Sequence, residues 1–222
     1  MASARWLILA PHADDETLGC GALIADAASR NALAGVVILT DGVGSHRHDG
    51  PASRARLIAA RRRESARAVR ILAGCAAPPP LFLDWPDAHP FSVGTPAFDQ
   101  SRRRLAAICR QRRVDALAVT AHNEPHCDHE AAHALARAVS HTAMRTIKVF
   151  EYVVWAAEPP SAGYLTLQTP PMPIGLRNQA LAAHRSQTTP QFGEGFRLSA
   201  AKLRMPAFDL LYERTRRDTR PQ

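Results

Sequence analysis

Short apolar runs alternate with longer helical stretches along most of this chain. The runs WLILA, VVILT and ALAVT occupy residues 6–10, 36–40 and 116–120. Runs without the polar alternation of a half-exposed strand are typical of strands buried on both faces. Such strands, alternating with helices of ten or more residues, predict an α/β fold with a mostly parallel central sheet and right-handed crossovers.

The predicted elements extend over most of the 222 residues. Strands are predicted at residues 6–10, 36–40, 81–83, 116–120 and 148–154. Helices are predicted at residues 17–29, 54–73, 98–111, 130–140 and 176–186. The sequence has no internal repeat and no linker-like segment, so we predict one domain over residues 1–222, with a basic, flexible tail from residue 214.

Composition excludes several classes of protein. Hydrophobic residues make up 46% of the chain, enough for a core that needs no disulfide or metal to fold. No apolar run approaches the ~18–20 residues of a membrane span, and the N-terminus does not resemble a signal peptide. The four cysteines, Cys20, Cys75, Cys109 and Cys127, are scattered without a CxxC pair. We therefore expect a reduced, cytoplasmic protein.

Polar side chains that carry chemistry follow the predicted strands. Residues 12–16 (HADDE) follow the first strand, Asp41 the second, Asp87 the third and residues 122–129 (HNEPHCDH) the fourth. Ligand sites in parallel α/β folds lie at the carboxyl ends of the strands, so these residues are expected to meet at one edge of the sheet. Histidines and carboxylates gathered there predict a metal-dependent site.

Three of these residues, His12, Asp15 and His129, form a mixed nitrogen and oxygen set that suits Zn²⁺. A catalytic zinc takes about three protein ligands and leaves a position for water. His12 and Asp15 are three residues apart across a strand-to-helix turn, close enough to share one ion. The same ligands would also accept another divalent metal such as Fe²⁺ or Co²⁺.

Three neighbouring residues could act around that ion. Asp14 could take a proton from a water that the metal activates. His126 could donate to an oxyanion or a leaving amine, and Asp128 could orient a histidine through its second ring nitrogen. A structural interpretation stays open, because acidic residues 14–16 also suit the start of a helix and the histidines of residues 122–129 could be solvated.

These segments resemble a known family. Residues 11–21 (PHADDETLGCG) resemble the AHPDDE signature of the PIG-L/LmbE-like zinc-dependent N-deacetylases, and residues 126–129 (HCDH) resemble that family's later HxDH signature. Weaker blocks match in the same order at residues 40–42 (TDG), 61–64 (RRRE), 85–87 (WPD) and 183–187 (AHRSQ). The resemblance covers residues 5–190 or so.

This resemblance implies a Rossmann-like three-layer fold and hydrolysis of the acetamido group of a GlcNAc-type sugar. It assigns His12, Asp15 and His129 to the zinc and the role of general base to Asp14. His126 would stabilise the oxyanion or protonate the amine. The other matched positions are candidate substrate-binding residues: Arg61, Asp87, Asp41 and His184.

The chain departs from the family pattern at three places. Ala13 replaces the usual proline of the first signature, which loosens the turn but removes no ligand. Cys127 replaces a residue that is often proline, and a cysteine beside a zinc ligand could alter metal affinity or sensitivity to oxidation. Glu124 and Pro125 stand where some relatives carry an aromatic residue, which changes the expected shape of the substrate site.

A rival motif overlaps the second signature. Residues 129–133 (HEAAH) match HExxH, the zinc-peptidase helix, in which His129 and His133 would share a helix face and Glu130 would be the base. Glu151, a candidate third ligand, falls in a predicted strand. This interpretation leaves residues 12–16 without a role. A non-catalytic sugar-binding module is a further alternative, against which the complete set of predicted ligands argues.

The formal charge of +8 comes largely from arginine. Residues 54–70 contain seven arginines and one glutamate, and basic residues recur at 214–220. Such segments indicate either an anionic partner or a solvated helix face. No zinc finger, RNP pattern or helix-turn-helix accompanies the charge, so nucleic acid is not the expected partner. We expect a small acetamido sugar or glycoconjugate, anionic ones included; the sequence predicts no oligomeric state.

Overall fold

The computed structural model describes residues 4–47, 49–199, 202 and 204–215 of the chain. Its strands are β1 (Trp6–Ala10), β2 (Leu33–Thr40), β3 (Leu81–Trp85), β4 (Ala116–Thr120), β5 (Lys148–Tyr152), β6 (Tyr164–Gln168) and β7 (Leu210–Arg214). Its helices are α1 (Asp15–Ser29), α2 (Pro51–Ala73), α3 (Pro96–Gln111), α4 (Cys127–Thr142), α5 (Leu176–Leu181) and α6 (Arg185–Thr188). A 3₁₀ turn (Pro190–Phe192) follows α6.

The strands form one sheet in the order β3-β2-β1-β4-β5-β7-β6. Strands β1 to β5 run parallel, whereas β7 pairs antiparallel with both β5 and β6. Leu7 of β1 lies beside Gly35 of β2 on one side and Leu117 of β4 on the other. The strand order therefore reverses at β1, and this switch point is where open α/β sheets bind their ligands.

The side chains of β1 alternate between two cores. Ile8 belongs to a buried cluster that α1, α2 and α5 share on one face of the sheet, and Leu9 belongs to a second cluster with α3 and α4 on the other face. Both faces of β1 are covered, which explains why WLILA is apolar at every position. Helices on both sides of a mostly parallel sheet confirm the predicted Rossmann-like three-layer fold.

Strands β1 and β4 have the predicted bounds, but α4 begins earlier than predicted, at Cys127. His126 caps this helix, because its Nδ1 accepts a hydrogen bond from the Asp128 backbone N–H at 3.2 Å. Asp128 and His129 therefore lie in the first turn of α4, where the helix dipole favours a carboxylate. The second signature is thus positioned by a helix rather than by a loop.

The C-terminal part of the chain differs most from the sequence prediction. The predicted helix at residues 176–186 is two short helices, and neither β6 nor β7 was predicted. β6 is an edge strand with largely exposed side chains, so it lacks a continuous buried run. Arg214 belongs to β7, and residues 216–222 of the predicted tail lie outside the described residues. Within the described ranges, no helix has the length and apolar character that a membrane span requires.

Glycine at position 19 allows α1 to pack closely against β5. A Cβ atom there would overlap the ring of Tyr152, whose hydroxyl donates to the Leu9 carbonyl of β1 at 3.1 Å. The helix also departs from helical geometry at the next residue, Cys20, with φ −133°. The missing side chain and the bend together let the first turn of α1, which carries Asp15, approach the sheet.

Gly19→Ala is expected to lower the free energy of unfolding by about 2 kcal/mol, because the Tyr152 ring would have to move within a close-packed core. Chemical denaturation of both proteins measures the loss. A Tyr152→Leu background is the control, since its shorter side chain leaves room for the new methyl group. An equal cost in both backgrounds would contradict the overlap.

Candidate active site

The carboxyl ends of four neighbouring strands open into a cavity of about 430 Å³. The segments that follow β1, β2, β3 and β4 all contribute to its walls. The predicted site residues that line it are His12, Asp14, Asp15, Arg61, Asp87, His126 and His129. The structure therefore brings residues from both signatures to one place, at the switch point of the sheet.

The Asp15 carboxylate lies between two imidazole rings. Its Oδ2 is 3.1 Å from His12 Nδ1 and 3.2 Å from His129 Nε2. One ligand atom from each of the three residues lies within 4.8 Å of the others, the spacing of a potential metal site. His129 Nε2 is buried and has no hydrogen-bond partner among the described residues. A buried ring nitrogen that makes no hydrogen bond is well suited to binding a cation. These residues therefore fit a divalent metal.

The far nitrogen of each ring contacts a different carboxylate. His129 Nδ1 is 3.1 Å from Glu124 Oε2, and His12 Nε2 is 3.0 Å from Asp128 Oδ2. A ring N–H that donates to such a carboxylate leaves the opposite nitrogen with a lone pair, and in both rings that nitrogen faces Asp15. A shared metal would need these tautomers, and Asp128 and Glu124 are placed to stabilise them.

A second group of potential ligands shares His12 and consists of His12, His126 and Asp128. Its members already have partners. Asp128 Oδ2 accepts from the Ala88 backbone N–H at 2.9 Å as well as facing His12, and His126 Nδ1 accepts the capping hydrogen bond of α4. The first group contains a buried nitrogen with no hydrogen-bond partner in the described ranges, so it is the better candidate for a metal site.

Asp14 occupies the turn between β1 and α1 with φ 143°, a conformation that residues with a side chain rarely adopt. Strain of this kind is concentrated at functional sites. The side chain is buried, and its Oδ2 has no hydrogen-bond partner among the described residues. Burial and the charge of Asp15 raise the pKa of Asp14 to about 7. A cation bound beside it would favour the carboxylate form again.

His126 is the most accessible of the cavity histidines, with 41% of its side chain exposed. Burial and the positive charge of His12 lower the pKa of His126. The rings of His126 and His12 pack edge to face at 4.9 Å. His126 is therefore placed at the open side of the cavity, beside the candidate metal ligands and within reach of a bound molecule.

Two predicted substrate-binding residues support the site without lining the cavity. His184 is completely buried, and its Nε2 lies 3.2 Å from Glu16 Oε1. Asp41 Oδ1 accepts from the Asp87 backbone N–H at 3.3 Å, while its Oδ2 forms an ion pair with Arg54 at 2.7 Å. We therefore revise their expected role from binding substrate to holding residues around the site. Asp128 is likewise behind the cavity wall, in contact with His12.

Arg61 and Asp87 do line the cavity, as predicted for substrate contacts. Arg61 is 3% exposed and donates to the Ser45 hydroxyl at 2.7 Å, while its Nε has no hydrogen-bond partner in the described ranges. Burial lowers the pKa of Arg61. Asp87 Oδ2 accepts from the Gly44 backbone N–H at 2.8 Å. Both side chains are thus held in place by the loop after β2.

Glu124 does not shape the substrate site in the way its sequence position indicated. It is 1% exposed, and its carboxylate accepts from the backbone N–H groups of Val154, Trp155 and Ala156 at 2.6, 3.0 and 3.3 Å. Burial alone would raise the pKa of Glu124, but the hydrogen bonds from His129 and Val154 lower it. Glu124 therefore joins His129, a candidate metal ligand, to the loop after β5.

Two irregular segments supply aromatic walls that sequence reasoning missed. Trp155 and Phe196 line the cavity and pack edge to face with ring centres 5.7 Å apart. Gln187 also lines it and donates to the Ala13 carbonyl. Trp155 and Phe196 come from irregular segments with no motif and no periodicity, so nothing local in the sequence marked them.

The HExxH interpretation is not supported by the geometry. His129 faces Asp15, whereas His133, one turn later on α4, has its Nε2 3.1 Å from Glu151 Oε1 in a separate cluster. The other members of that cluster are His122, whose Nδ1 lies 2.9 Å from Glu151 Oε2, and Tyr164, which donates to Oε1 at 3.0 Å. The two histidines of the motif therefore do not share a ligand site.

Comparison with known families agrees with this geometry. The family model of the GlcNAc-PI de-N-acetylases, PIG-L, matches residues 7–140. That stretch runs from β1 into α4 and contains both signatures. The chain belongs to the PIG-L family. PIG-L enzymes are metal-dependent hydrolases of N-acetyl amides. A search of curated protein sequences gives no significant match.

Solved structures share the fold of this PIG-L member. The N,N'-diacetylchitobiose deacetylase of Pyrococcus horikoshii is 22% identical, with a TM-score of 0.63 and coverage of 85% of this chain and 72% of that chain. The zinc-inhibited form of the teicoplanin deacetylase Orf2 is 18% identical, with a TM-score of 0.67 and coverage of 98% and 100%. The hydratase GalB of Pseudomonas putida KT2440 is also 18% identical, with a TM-score of 0.62 and coverage of 83% and 80%. A hydratase among these structures means that the fold alone does not select the reaction.

Glu124→Gln is expected to weaken zinc binding about 10–100-fold, because the amide cannot hold His129 and the backbone N–H groups with the same charge. Competition with a chromogenic chelator measures the affinity. The matched control is Glu130→Gln, because Glu130 is an exposed acidic residue on α4, the helix that carries His129. This variant should bind zinc as the native protein does. Equal affinity in all three proteins would rule out this role for Glu124.

Glu151 makes stability depend on pH. Burial alone would raise the pKa of Glu151, but hydrogen bonds from His133 and His122 outweigh it and lower the pKa to about 2 from 4.5. Above pH ~4.5 the lowered carboxyl pKa stabilises the fold by about 3 kcal/mol. This contribution is lost as the pH falls towards ~2. Urea denaturation should therefore show the native protein losing its advantage over Glu151→Gln between these pH values.

The exposed Glu158→Gln variant controls for the loss of one negative charge. Its stability should follow that of the native protein at every pH. A constant difference between native protein and Glu151→Gln across the acid range would show that the lowered pKa contributes nothing.

Proposed function

We propose that this PIG-L member is a zinc-dependent hydrolase that removes the acetyl group from the amide nitrogen of an N-acetylated amino sugar or its conjugate. One observation carries the proposal: two buried polar atoms that have no hydrogen-bond partner among the described residues, His129 Nε2 and Asp14 Oδ2, belong to residues that line the same cavity. The ring nitrogen of His129 is suited to binding a metal, and the carboxylate oxygen of Asp14 is suited to taking up a proton. Family membership and the deacetylases among the structural neighbours support the same reaction class.

His12, Asp15 and His129 would hold the ion. Bound there, a divalent cation supplies a Lewis acid for the amide carbonyl and activates a water molecule. Asp128 and Glu124 fix the ring orientations of His12 and His129 through their far nitrogens. Zinc is the proposed metal because the donor set mixes imidazole and carboxylate, although another divalent transition metal would also fit that set.

Asp14 is the proposed general base. Its Oδ2 is free to take the proton of the attacking water, and its carboxyl group is adjacent in sequence to the ligand Asp15. The positive φ of Asp14 fixes its place in the turn. A base so confined loses little orientational freedom when the substrate arrives.

His126 is the proposed acid on the other side of the reacting group. Its position at the open edge of the cavity allows it to stabilise the developing oxyanion and to donate a proton to the departing amine. Water adds to the amide carbon, the carbon–nitrogen bond breaks, and acetate and a free amine leave. The proton that Asp14 removes from water balances the one that the amine receives.

Arg61 and Asp87 are the proposed polar contacts to the sugar, and Trp155 with Phe196 would cover its apolar face. Together these walls are suited to a small ring that carries hydroxyl groups. All four cysteines lie within the described residues and are free thiols, which supports the proposed cytoplasmic setting.

Release of acetate from a panel of acetamido sugars by the zinc-loaded protein tests the proposal. Asp14→Asn should lower kcat about 10²–10⁴-fold while zinc content stays unchanged, since it removes the base but no ligand. His12→Ala should lose zinc. The assignment would be overturned if His12→Ala retained zinc. It would also be overturned, in favour of a sugar-binding module, if the native protein bound the substrates but released no acetate. Addition of water to a substrate without acetate release would instead indicate a hydratase.

A further inference from the structure

A second cavity, of about 530 Å³, has a strongly basic lining. Arg47, Arg56 and Arg63 contribute guanidinium groups to its walls, and Asp49 is the acidic residue among its lining residues. Gln191 adds a neutral polar group. The lining therefore carries a net positive charge in a concave site, where low-dielectric walls strengthen the attraction of an anion.

The three cavity arginines have no partner among the described residues, unlike the six arginines of the chain that form ion pairs. Ion pairs engage Arg30, Arg54, Arg62, Arg102, Arg145 and Arg177. In the part of the chain that the structure describes, Arg47, Arg56 and Arg63 form no ion pair and donate no side-chain hydrogen bond. Their hydrogen-bond donors therefore remain available to a ligand.

The fold places these arginines together for a simple reason. Arg56 and Arg63 are seven residues apart on α2, so two helical turns put them on the same face. Arg47 comes from the loop after β2, and Gln191 and Phe192 come from the 3₁₀ turn after α6. A merely solvated helix face would not have two further segments folded against it.

The basic cavity and the candidate active site share a wall. The backbones of His46 and Gly195 form a bridge, and the Phe196 N–H donates to the Ser45 carbonyl at 2.9 Å. Ser45 and Phe196 line the active-site cavity, whereas His46, the residue next to Ser45, lines the basic one. The two cavities are thus neighbours on the same side of the molecule.

We propose that the basic cavity binds an anionic group, a phosphate or carboxylate, that the substrate carries away from its acetamido group. Guanidinium groups match the geometry of both oxyanions. The substrate class is then an acetamido sugar with an anionic substituent or aglycone. This inference rests on the proposed deacetylase function for its substrate, and it gives a role to the arginine-rich helix.

Binding of inorganic phosphate and of glucose 1-phosphate, measured by calorimetry on the zinc-loaded protein, tests the cavity without any deacetylation. The double variant Arg56→Gln/Arg63→Gln should weaken binding of both about tenfold. Arg67→Gln/Arg70→Gln is the matched control, because both arginines are exposed on the same helix and neither lines the cavity. Both double variants keep the metal ligands, so phosphate that binds the metal does not account for a difference between them.

Kinetics then distinguish a substituent of the substrate from a free anion. The native enzyme should have a lower KM for N-acetylglucosamine 1-phosphate than for N-acetylglucosamine, and only the Arg56→Gln/Arg63→Gln variant should lose that preference. Equal KM values in the native enzyme, with phosphate binding still dependent on Arg56 and Arg63, would overturn the substrate proposal in favour of a free anion.

Equal phosphate binding in the native protein and both variants would overturn the anion site itself. A different result would overturn the deacetylase function and the substrate class built on it. In that case the protein would bind glucose 1-phosphate through Arg56 and Arg63 but would release no acetate. The two failures are therefore distinguishable.

Discussion

The structure of the candidate site depends on one buried carboxylate, that of Asp15. Its Oδ2 accepts a hydrogen bond from the His12 backbone N–H at 3.0 Å and lies close to a nitrogen of each of two imidazole rings. A buried anion is tolerated only where hydrogen bonds and opposite charge compensate for lost hydration. The chain must therefore bring His12 from the end of β1 and His129 from the start of α4 to the same point. The adjacency of β1 and β4 in the sheet makes this possible.

Most of the other buried acids near Asp15 have a partner of their own. Glu16 faces His184, Glu124 faces His129, and Asp128 faces His12. Each contact holds an imidazole ring in one orientation. The exception is Asp14, whose Oδ2 is unpartnered among the described residues and whose backbone is strained. Perturbed and uncompensated groups concentrate where chemistry is done, which is why Asp14 is the proposed base.

The sequence predicted the parts of the fold and site that depend on local pattern. β1 and β4 are continuous apolar runs because both faces of the sheet are covered there, so their bounds were correct. β6 was missed because an exposed edge strand has no such run. The support role of Glu124 was missed because its partners are backbone N–H groups about thirty residues later, which have no sequence signature. Tertiary contacts of this kind are absent from any local window.

The same sheet supports deacetylases and a hydratase, so side chains at the strand ends, rather than the sheet, determine the chemistry. In this chain those side chains form two neighbouring cavities of different character. One has buried histidines, carboxylates and an aromatic wall, and the other has exposed arginines. The backbone bridge between His46 and Gly195 lies between them.

The position of Glu124 has a consequence for changes in the loop after β5. One carboxylate holds His129 on one side and the amides that carry Trp155 on the other. A substitution that displaces this loop would therefore move the carboxylate and, with it, the His129 ring. The aromatic wall of the cavity and its buried imidazole are coupled mechanically through one side chain.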